Sequence, residues 1–516
     1  MLRRSLIEAW RALNIPSPWL PLLLLVPLLG FFIKKMRFRR DNQHLPPGPN
    51  RLPIIGNLHQ IGPLPHKSMW QISKKYGPVV QLQLGCIPTV LISSAEAANE
   101  VLKVHDLVCC SRPQFAGCRR LTHNFKDVAF TPYGDYWKKM RKMIVLEFFS
   151  LKRVQSFRYV REEEVGLLIN SISDSLSSAT PINLTEKFFD LSANITFRTS
   201  FGFNYHGTDF DKNRFHEVVH EALVVERSLS ADEYFPYIGR LVDRLTGYHA
   251  RIERVFLELD SFLQHVIDDH LKPERKKEKE DMIDVLLRVE QEEAGTEPQF
   301  TKENIKAILL NLFLAGADTG AVTIDWAMAE LAKNPRVMKK AQDEVRKFAG
   351  NKGKVNEDDI EELEYLNMVM KETLRLHPPA PLLLPREATS HCKINGYDIN
   401  PKTLIHVNVW AIGRDPKYWK DPEEFIPERF EGSSVDFKGH NFEFLPFGAG
   451  RRICPGIQMA KVTIQIALAN LLYCFDWNLP RGMKVEEMRM DEKAGESLTV
   501  TRNDPLCLVP VKYPQV

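Results

Sequence analysis

Cys454 stands in a glycine-rich loop, Phe447-Gly-Ala-Gly-Arg-Arg-Ile-Cys454-Pro-Gly456, directly ahead of an apolar stretch of helical character. A cysteine binds metal as its thiolate, and a helix N-terminus favours that anion through its free N–H groups and macrodipole. Gly448, Gly450 and Gly456 let the backbone approach a flat ligand and the sulfur with no Cβ between them, and Pro455 suits the first position of the helix. The loop reads as a cradle for porphyrin iron, where a cysteinate on one face favours O–O bond cleavage on the other. The remaining cysteines (Cys86, Cys109, Cys110, Cys118, Cys392, Cys474 and Cys507) show no paired spacing and are sparse for 516 residues, which suits a reducing compartment.

Four further groups of residues carry chemical potential. Ala315-Gly-Ala-Asp-Thr-Gly320 interrupts an apolar helix with an acid, a hydroxyl and two glycines, each glycine costing about 1 kcal/mol relative to alanine. Something in the fold must offset that. Glu372-Thr-Leu-Arg375 places opposite charges on one helix face at i, i+3, and Pro427-Glu-Arg429-Phe offers a second arginine. Trp137-Lys-Lys-Met-Arg141 sets an indole N–H and a guanidinium one turn apart. Arg452, Arg386 and Arg112 supply more planar donor forks, the geometry that matches carboxylates.

Together these motifs resemble the cytochrome P450 superfamily, the haem-thiolate monooxygenases, over nearly the whole chain from Pro46 onward. The wording of Lys371-Glu-Thr-Leu-Arg-Leu-His-Pro-Pro379 and Asn441-Phe-Glu-Phe-Leu-Pro-Phe447 is similar to the plant A-type families of specialised metabolism. The resemblance implies haem b with Cys454 as the iron ligand, and propionates held by Trp137, Arg141, Arg452, Arg386 and Arg112. It also implies cofactor contacts from Ala315, Gly316 and Phe447, with Asp318 and Thr319 managing dioxygen and its protons. Glu372, Arg375 and Arg429 become a structural network that locks the segment ahead of the cysteine loop. Gly320 departs from the family, which often has a second hydroxyl there. The implied partners are an NADPH-dependent flavoprotein reductase, cytochrome b5 as a second electron donor, membrane lipid and a lipophilic small molecule. A haem-thiolate isomerase or dehydratase that needs no O2 is the alternative, and a non-catalytic haem-binding membrane protein is a third; Asp318-Thr319 argues against the former, since such chemistry has no use for an oxygen-protonating relay.

The elements that must position these residues are mainly helical, with small β-sheets, in the superfamily's α+β fold. Residues 19–33 are nearly all apolar and precede Lys34, Lys35, Arg37, Arg39 and Arg40, so residues 1–34 read as a transmembrane anchor. Positive-inside orientation then leaves the rest cytosolic, on the endoplasmic reticulum. Residues 35–50 form a basic, proline-rich linker and 51–516 the catalytic domain. Alternation over 78–92 around a turn at 85–88 predicts a hairpin, and further strands are expected at 393–399, 404–409 and near the C-terminus. Apolar periodicity predicts helices over 148–175, 251–271, 302–333 and 335–348. By position, the substrate lining should come from 109–124, 201–214, 312–319, 380–384 and 497–499. Lys138, Lys139, Lys142, Lys438 and Arg451 would form a cationic dock for the reductase. A net charge of only +3 gives no global field for nucleic acid.

Overall fold

The computed structural model describes residues 44–514 apart from 177–179, 204–211, 228–229, 237, 276–278, 294, 296–298 and 495–497. The anchor and most of the linker expected over 1–50 lie outside them. Long helices dominate: α1 Pro65–Tyr76, α2 Asp135–Glu147, α3 Arg158–Ser173, α4 Leu184–Phe201, α5 Lys212–Arg227, α6 Tyr248–His270, α7 Met282–Glu292, α8 Lys302–Lys333, α9 Pro335–Ala349, α10 Glu364–Leu376 and α11 Ile457–Cys474. Nine short strands accompany them: β1 Val79–Leu84, β2 Ile87–Ile92, β3 Ile182–Asn183, β4 Arg386–Glu387, β5 Cys392–Ile394, β6 Tyr397–Ile399, β7 Leu404–Val407, β8 Phe475–Asn478 and β9 Cys507–Lys512.

The hairpin forms as its alternation predicts, with Val79 opposite Ile92 and Leu84 opposite Ile87. Gly85 turns the chain at φ +58°, a conformation that suits glycine in a two-residue hairpin loop. β2 then pairs in parallel with β7, and β7 antiparallel with β4. That four-stranded sheet delivers Arg386 to the interior from its edge.

Helix α8 is the central beam. Thr301 and Asn304 bond reciprocally at its start, and the chain leaves it at Asn334 because Pro335 opens α9. It packs along α4 at unusually close range. A Cβ on Gly316 would come within 2.8 Å of Thr196 Oγ1, and one on Gly320 within 2.8 Å of Ser192 Oγ. The glycines buy this approach, and Ser192 Oγ donates to the Gly316 carbonyl at 2.8 Å. Helices α8 and α11 are long and apolar enough to cross a bilayer, yet 72% and 67% of their apolar windows are buried inside the protein, so they are core helices.

One expected element is divided. The helix read over 148–175 breaks at Phe157 (φ −94°, ψ 9°), where a short helix over Leu151–Ser156 ends and α3 begins. Phe157 is buried in the core, and Arg161, a turn later, is fully buried and ion-paired to Glu357 at 2.6 Å. Packing sets that bend; apolar periodicity runs through it unchanged.

Candidate active site

The cysteine loop is shaped by two left-handed glycines, Gly448 at φ +70° and Gly450 at φ +69°. Any Cβ on Gly450 would fall 2.2 Å from the Leu102 carbonyl oxygen, so no other residue fits there. The Cys454 N–H donates to the Phe447 carbonyl at 3.0 Å, closing the loop on itself. Helix α11 starts at Ile457 with Gly456 as its cap, so Pro455 lies outside the helix rather than at its first position. The sulfur therefore faces the free N–H groups of the turn from just beyond the helix end. Burial pushes the Cys454 thiol up, while the Gly456 N–H and the Arg141 charge oppose it.

Arginines converge on the backbone around this loop. Arg452 donates to the carbonyls of Cys110, Val128 and Thr131 at 2.8, 3.2 and 2.6 Å, and lies 4.1 Å over the Trp137 ring. The Trp137 indole donates to Val128 at 3.0 Å, and Arg141 donates to the Ile453 carbonyl. Arg112 reaches Ala129, Leu384 and Pro385 at 2.9, 2.8 and 2.7 Å. Arg386 pairs with Asp106 at 2.9 Å and holds the Ala449 carbonyl at 3.0 Å. Residues 128–131 are thus a hub, and α8 grips it too: Asn311 Oδ1 accepts from the N–H groups of Val128 and Ala129 at 3.2 and 3.1 Å.

On α8 the motif residues part company. Ala315 is exposed and Thr319 half-buried on one face, one turn apart, whereas their neighbours Phe313, Leu314, Ala317 and Asp318 are buried. In the midst of a core helix, that exposure marks an internal space. Thr319 Oγ1 donates to the Ala315 carbonyl at 2.7 Å. Gly316 also serves helix packing: its Cβ direction meets Thr196 of α4, so only a residue without a side chain fits there. Asp318 accepts a short hydrogen bond from Thr499 Oγ1, and burial pushes its carboxyl up against that bond.

Glu372 lies completely buried between two arginines. Arg375 meets it with paired bonds of 2.7 and 2.8 Å, and Arg429 Nε with one of 2.9 Å. Both guanidiniums also hold the carbonyls of the following meander, Arg375 at Gly413, Pro422 and Glu424, Arg429 at Lys420, Asp421 and Glu424. A cavity of about 210 Å³ reaches Thr499 from the opposite side, walled by Phe115, Phe130, Leu383, Leu498 and Glu226. Of the segments expected to line it, 109–124, 380–384 and 497–499 contribute; 201–214 and 312–319 do not appear on its wall among the described residues, and the stretch 58–69 was not foreseen.

The sequence model of the family described as Cytochrome P450 matches residues 46–507. The chain belongs to the cytochrome P450 family. It is 52% identical to cytochrome P450 71B34 of Arabidopsis thaliana over 96% of this chain and 99% of that protein. Its identity to cytochrome P450 71B10 of the same plant is 51%, over 95% and 98%. As a plant A-type cytochrome P450 it is a haem-thiolate monooxygenase, and its cofactor is haem b on a cysteine thiolate, with NADPH electrons arriving through a reductase.

The residues of this cytochrome P450 fit that group. Burial and mutual repulsion press Arg112 below its ordinary value, and burial does the same to Arg386, Arg452 and Arg141. A guanidinium does not surrender its proton in a protein, so the tension stands as a demand for negative charge. Asp106 and Asp127 are the carboxylates that bear on the cluster, and burial pushes Asp127 up, toward neutrality. Two haem propionates would supply what is lacking. The sulfur, protonated by preference in its buried loop, loses its proton on coordination to a metal.

Proposed function

We propose that this cytochrome P450 is a membrane-anchored monooxygenase that inserts one atom of O2 into a small lipophilic plant metabolite of terpenoid, alkaloid or phenylpropanoid type. Electrons come from NADPH through a flavoprotein reductase on the same endoplasmic reticulum membrane. The observation that carries the reading is the continuity from an apolar-walled cavity, through Thr499, to a buried Asp318 one residue from the open-faced Thr319. The anchor is supported by the apolar run 19–33 and its basic flank.

Cys454 is assigned as the iron ligand, with Arg112, Arg386, Arg452, Arg141 and Trp137 around the propionates. When bound, haem supplies the reductive activation of dioxygen. The chain supplies the proton handling. Burial raises the Asp318 carboxyl above the ordinary aspartate range against the Thr499 hydrogen bond, which suits it to carry a proton inside the fold. The Thr499 hydroxyl fixes its orientation, and the Thr319 hydroxyl on the adjacent open face can accept from one side and donate to the other. Glu372, Arg375 and Arg429 keep the meander and hence the cysteine loop in place. On the reductase side, Lys138, Lys139, Lys438 and Arg451 are each paired to an acid (Asp135, Glu293, Asp436 and Asp106), so the proposed dock is a mixed field that a partner's acids must compete for.

Ligand-induced spectral shifts of the haem protein across the three metabolite classes, followed by oxygen-isotope incorporation with reductase and NADPH, test the proposal. Label from O2 in the product supports it. Product formed without O2 or NADPH would assign the chain to haem-thiolate isomerisation or dehydration instead.

A further inference from the structure

Glu226 is out of place in an apolar cavity. It sits one residue from the end of α5, is only 7% exposed, and among the described lining residues is the sole acid. Its Oε1 is buried with no hydrogen-bond partner among the described residues. Such a group costs stability unless something meets it, and buried polar atoms are otherwise satisfied almost everywhere in a fold.

Among the described residues none is seen to meet it. His66, which shares the cavity wall, is bonded to Glu492 at 2.8 Å. Lys493 lies on the wall but is exposed to solvent. Asp127, whose charge bears on Glu226, is of the same sign and already receives the Phe130 N–H at 2.8 Å. The backbone that carries the carboxyl is nonetheless held firmly. Cys118 Sγ donates to the Glu226 carbonyl at 3.4 Å, and Gly117 lies so close to α5 that a Cβ there would stand 2.7 Å from the Val225 oxygen. Phe115 and Phe130 line the same cavity, and Phe130 clusters with Phe125 and Cys118.

A carboxyl on a held backbone, with a vacant acceptor and aromatic walls, favours a cation over a neutral hydrogen-bond donor. The ring faces add cation–π attraction, and the low dielectric strengthens the charge pair. Burial with the Asp127 charge holds the carboxyl up at about 8, so an arriving cation is also what would draw it into its ionised form. Resting on the monooxygenase reading above, we propose that Glu226 selects substrates that carry an ammonium group on a lipophilic body, anchoring the charge in the cavity so that a distant carbon is presented to the reactive centre.

The test uses haem-loaded full-length protein and a matched pair of probes, phenylpropyl-trimethylammonium and its uncharged tert-butyl isostere. The quaternary nitrogen has no lone pair and so cannot ligate iron. Equilibrium dialysis should show the cation bound at least about tenfold more tightly by the wild type, a preference of about 1.4 kcal/mol. Glu226→Gln should abolish the preference while leaving the affinity for the isostere within about twofold, and Glu226→Asp should retain part of it. Equal binding of the two probes by the wild type overturns the proposal without recourse to any variant. So does a preference that survives in Glu226→Gln, or tighter binding of the matching alcohol than of the cation. The reduced carbon monoxide spectrum, recorded on each sample, separates the two readings: an intact thiolate band with no cation preference refutes the ammonium site alone.

Discussion

Around the cysteine loop buried charged groups are tied to backbone: Arg452 to three carbonyls, Arg375 to three, Arg112 to three, and Glu372 to two arginines and the Ile426 N–H. Across the interior, the cavity is held differently. Its walls come from segments far apart in the chain; among the described residues Asp318 is bonded by the Thr499 side chain, and an oxygen of Glu226 has no partner. The first region's donors are positioned by its own backbone, so it can hold a cofactor in one geometry. The second leaves polar groups unmet, so that a ligand completes it.

The largest effects should fall on the first region. Cys454→Ser should abolish the thiolate band of the reduced carbon monoxide complex, whereas Cys109→Ser and Cys474→Ser should leave it intact. A normal band in Cys454→Ser would remove the basis of the comparison. Glu372→Gln strands Arg375 and Arg429 in the core and should cost about 3 to 5 kcal/mol, read as a lower denaturant midpoint and loss of haem on dilution. Its neighbour in the comparison is Glu428, which pairs with exposed Arg336 and Lys340. Glu428→Gln should cost no more than about 1 kcal/mol. Equal costs would mean that burial does not distinguish these two ion-pair sites.

The same contrast governs what could be read from the sequence. The cysteine loop, the Glu372–Arg375 pair and both ends of α8 are local: a cap at Thr301, a stop at Asn334-Pro335, charges three residues apart. Each is written in a few adjacent residues whose physics does not depend on the rest of the chain. The motif around Thr319 was legible as to residue type but not as to face, so the packing of Gly316 against Thr196 was not foreseen. Thr499 with Asp318 joins residues 181 apart, and Asn311 joins α8 to the 128–131 hub across 183 and 182. No local pattern announces either. Glu226 was invisible for a further reason: one acid near the end of an amphipathic helix reads as part of a solvated face.

Thr319→Ala tests the boundary between the two regions. The variant should retain haem, the thiolate band and substrate binding, because Thr319 ties only to its own helix at Ala315 and, through its carbonyl, to Thr323. NADPH should still be consumed, with more of it recovered as hydrogen peroxide and less as oxygenated product. A tenfold change in that partition needs about 1.4 kcal/mol between competing barriers, within reach of one lost hydrogen bond to a charged species. Unchanged coupling would move the proton path away from Thr319, toward water near Gly320.

A last test sharpens the comparison from the cavity side, through the dependence of stability on pH. Glu226 titrates at about 8 in the fold and in the ordinary carboxylate range when unfolded. Between those values the native state holds one more proton than the unfolded chain, so stability must fall as pH rises, by up to about 1.4 kcal/mol per pH unit from this group. The contribution is fully present below the unfolded value and gone once the pH has passed about 8. Asp127 and Asp318, also raised by burial, add slopes of the same sign and remain in any Glu226 variant. Denaturant unfolding of wild type and Glu226→Gln across this window should therefore give curves that diverge steadily, the glutamine protein losing less, and then run parallel. If the Glu226→Gln and wild-type curves stay parallel throughout, Glu226 is ionised and satisfied in the fold, and the cavity is as self-complete as the cysteine loop.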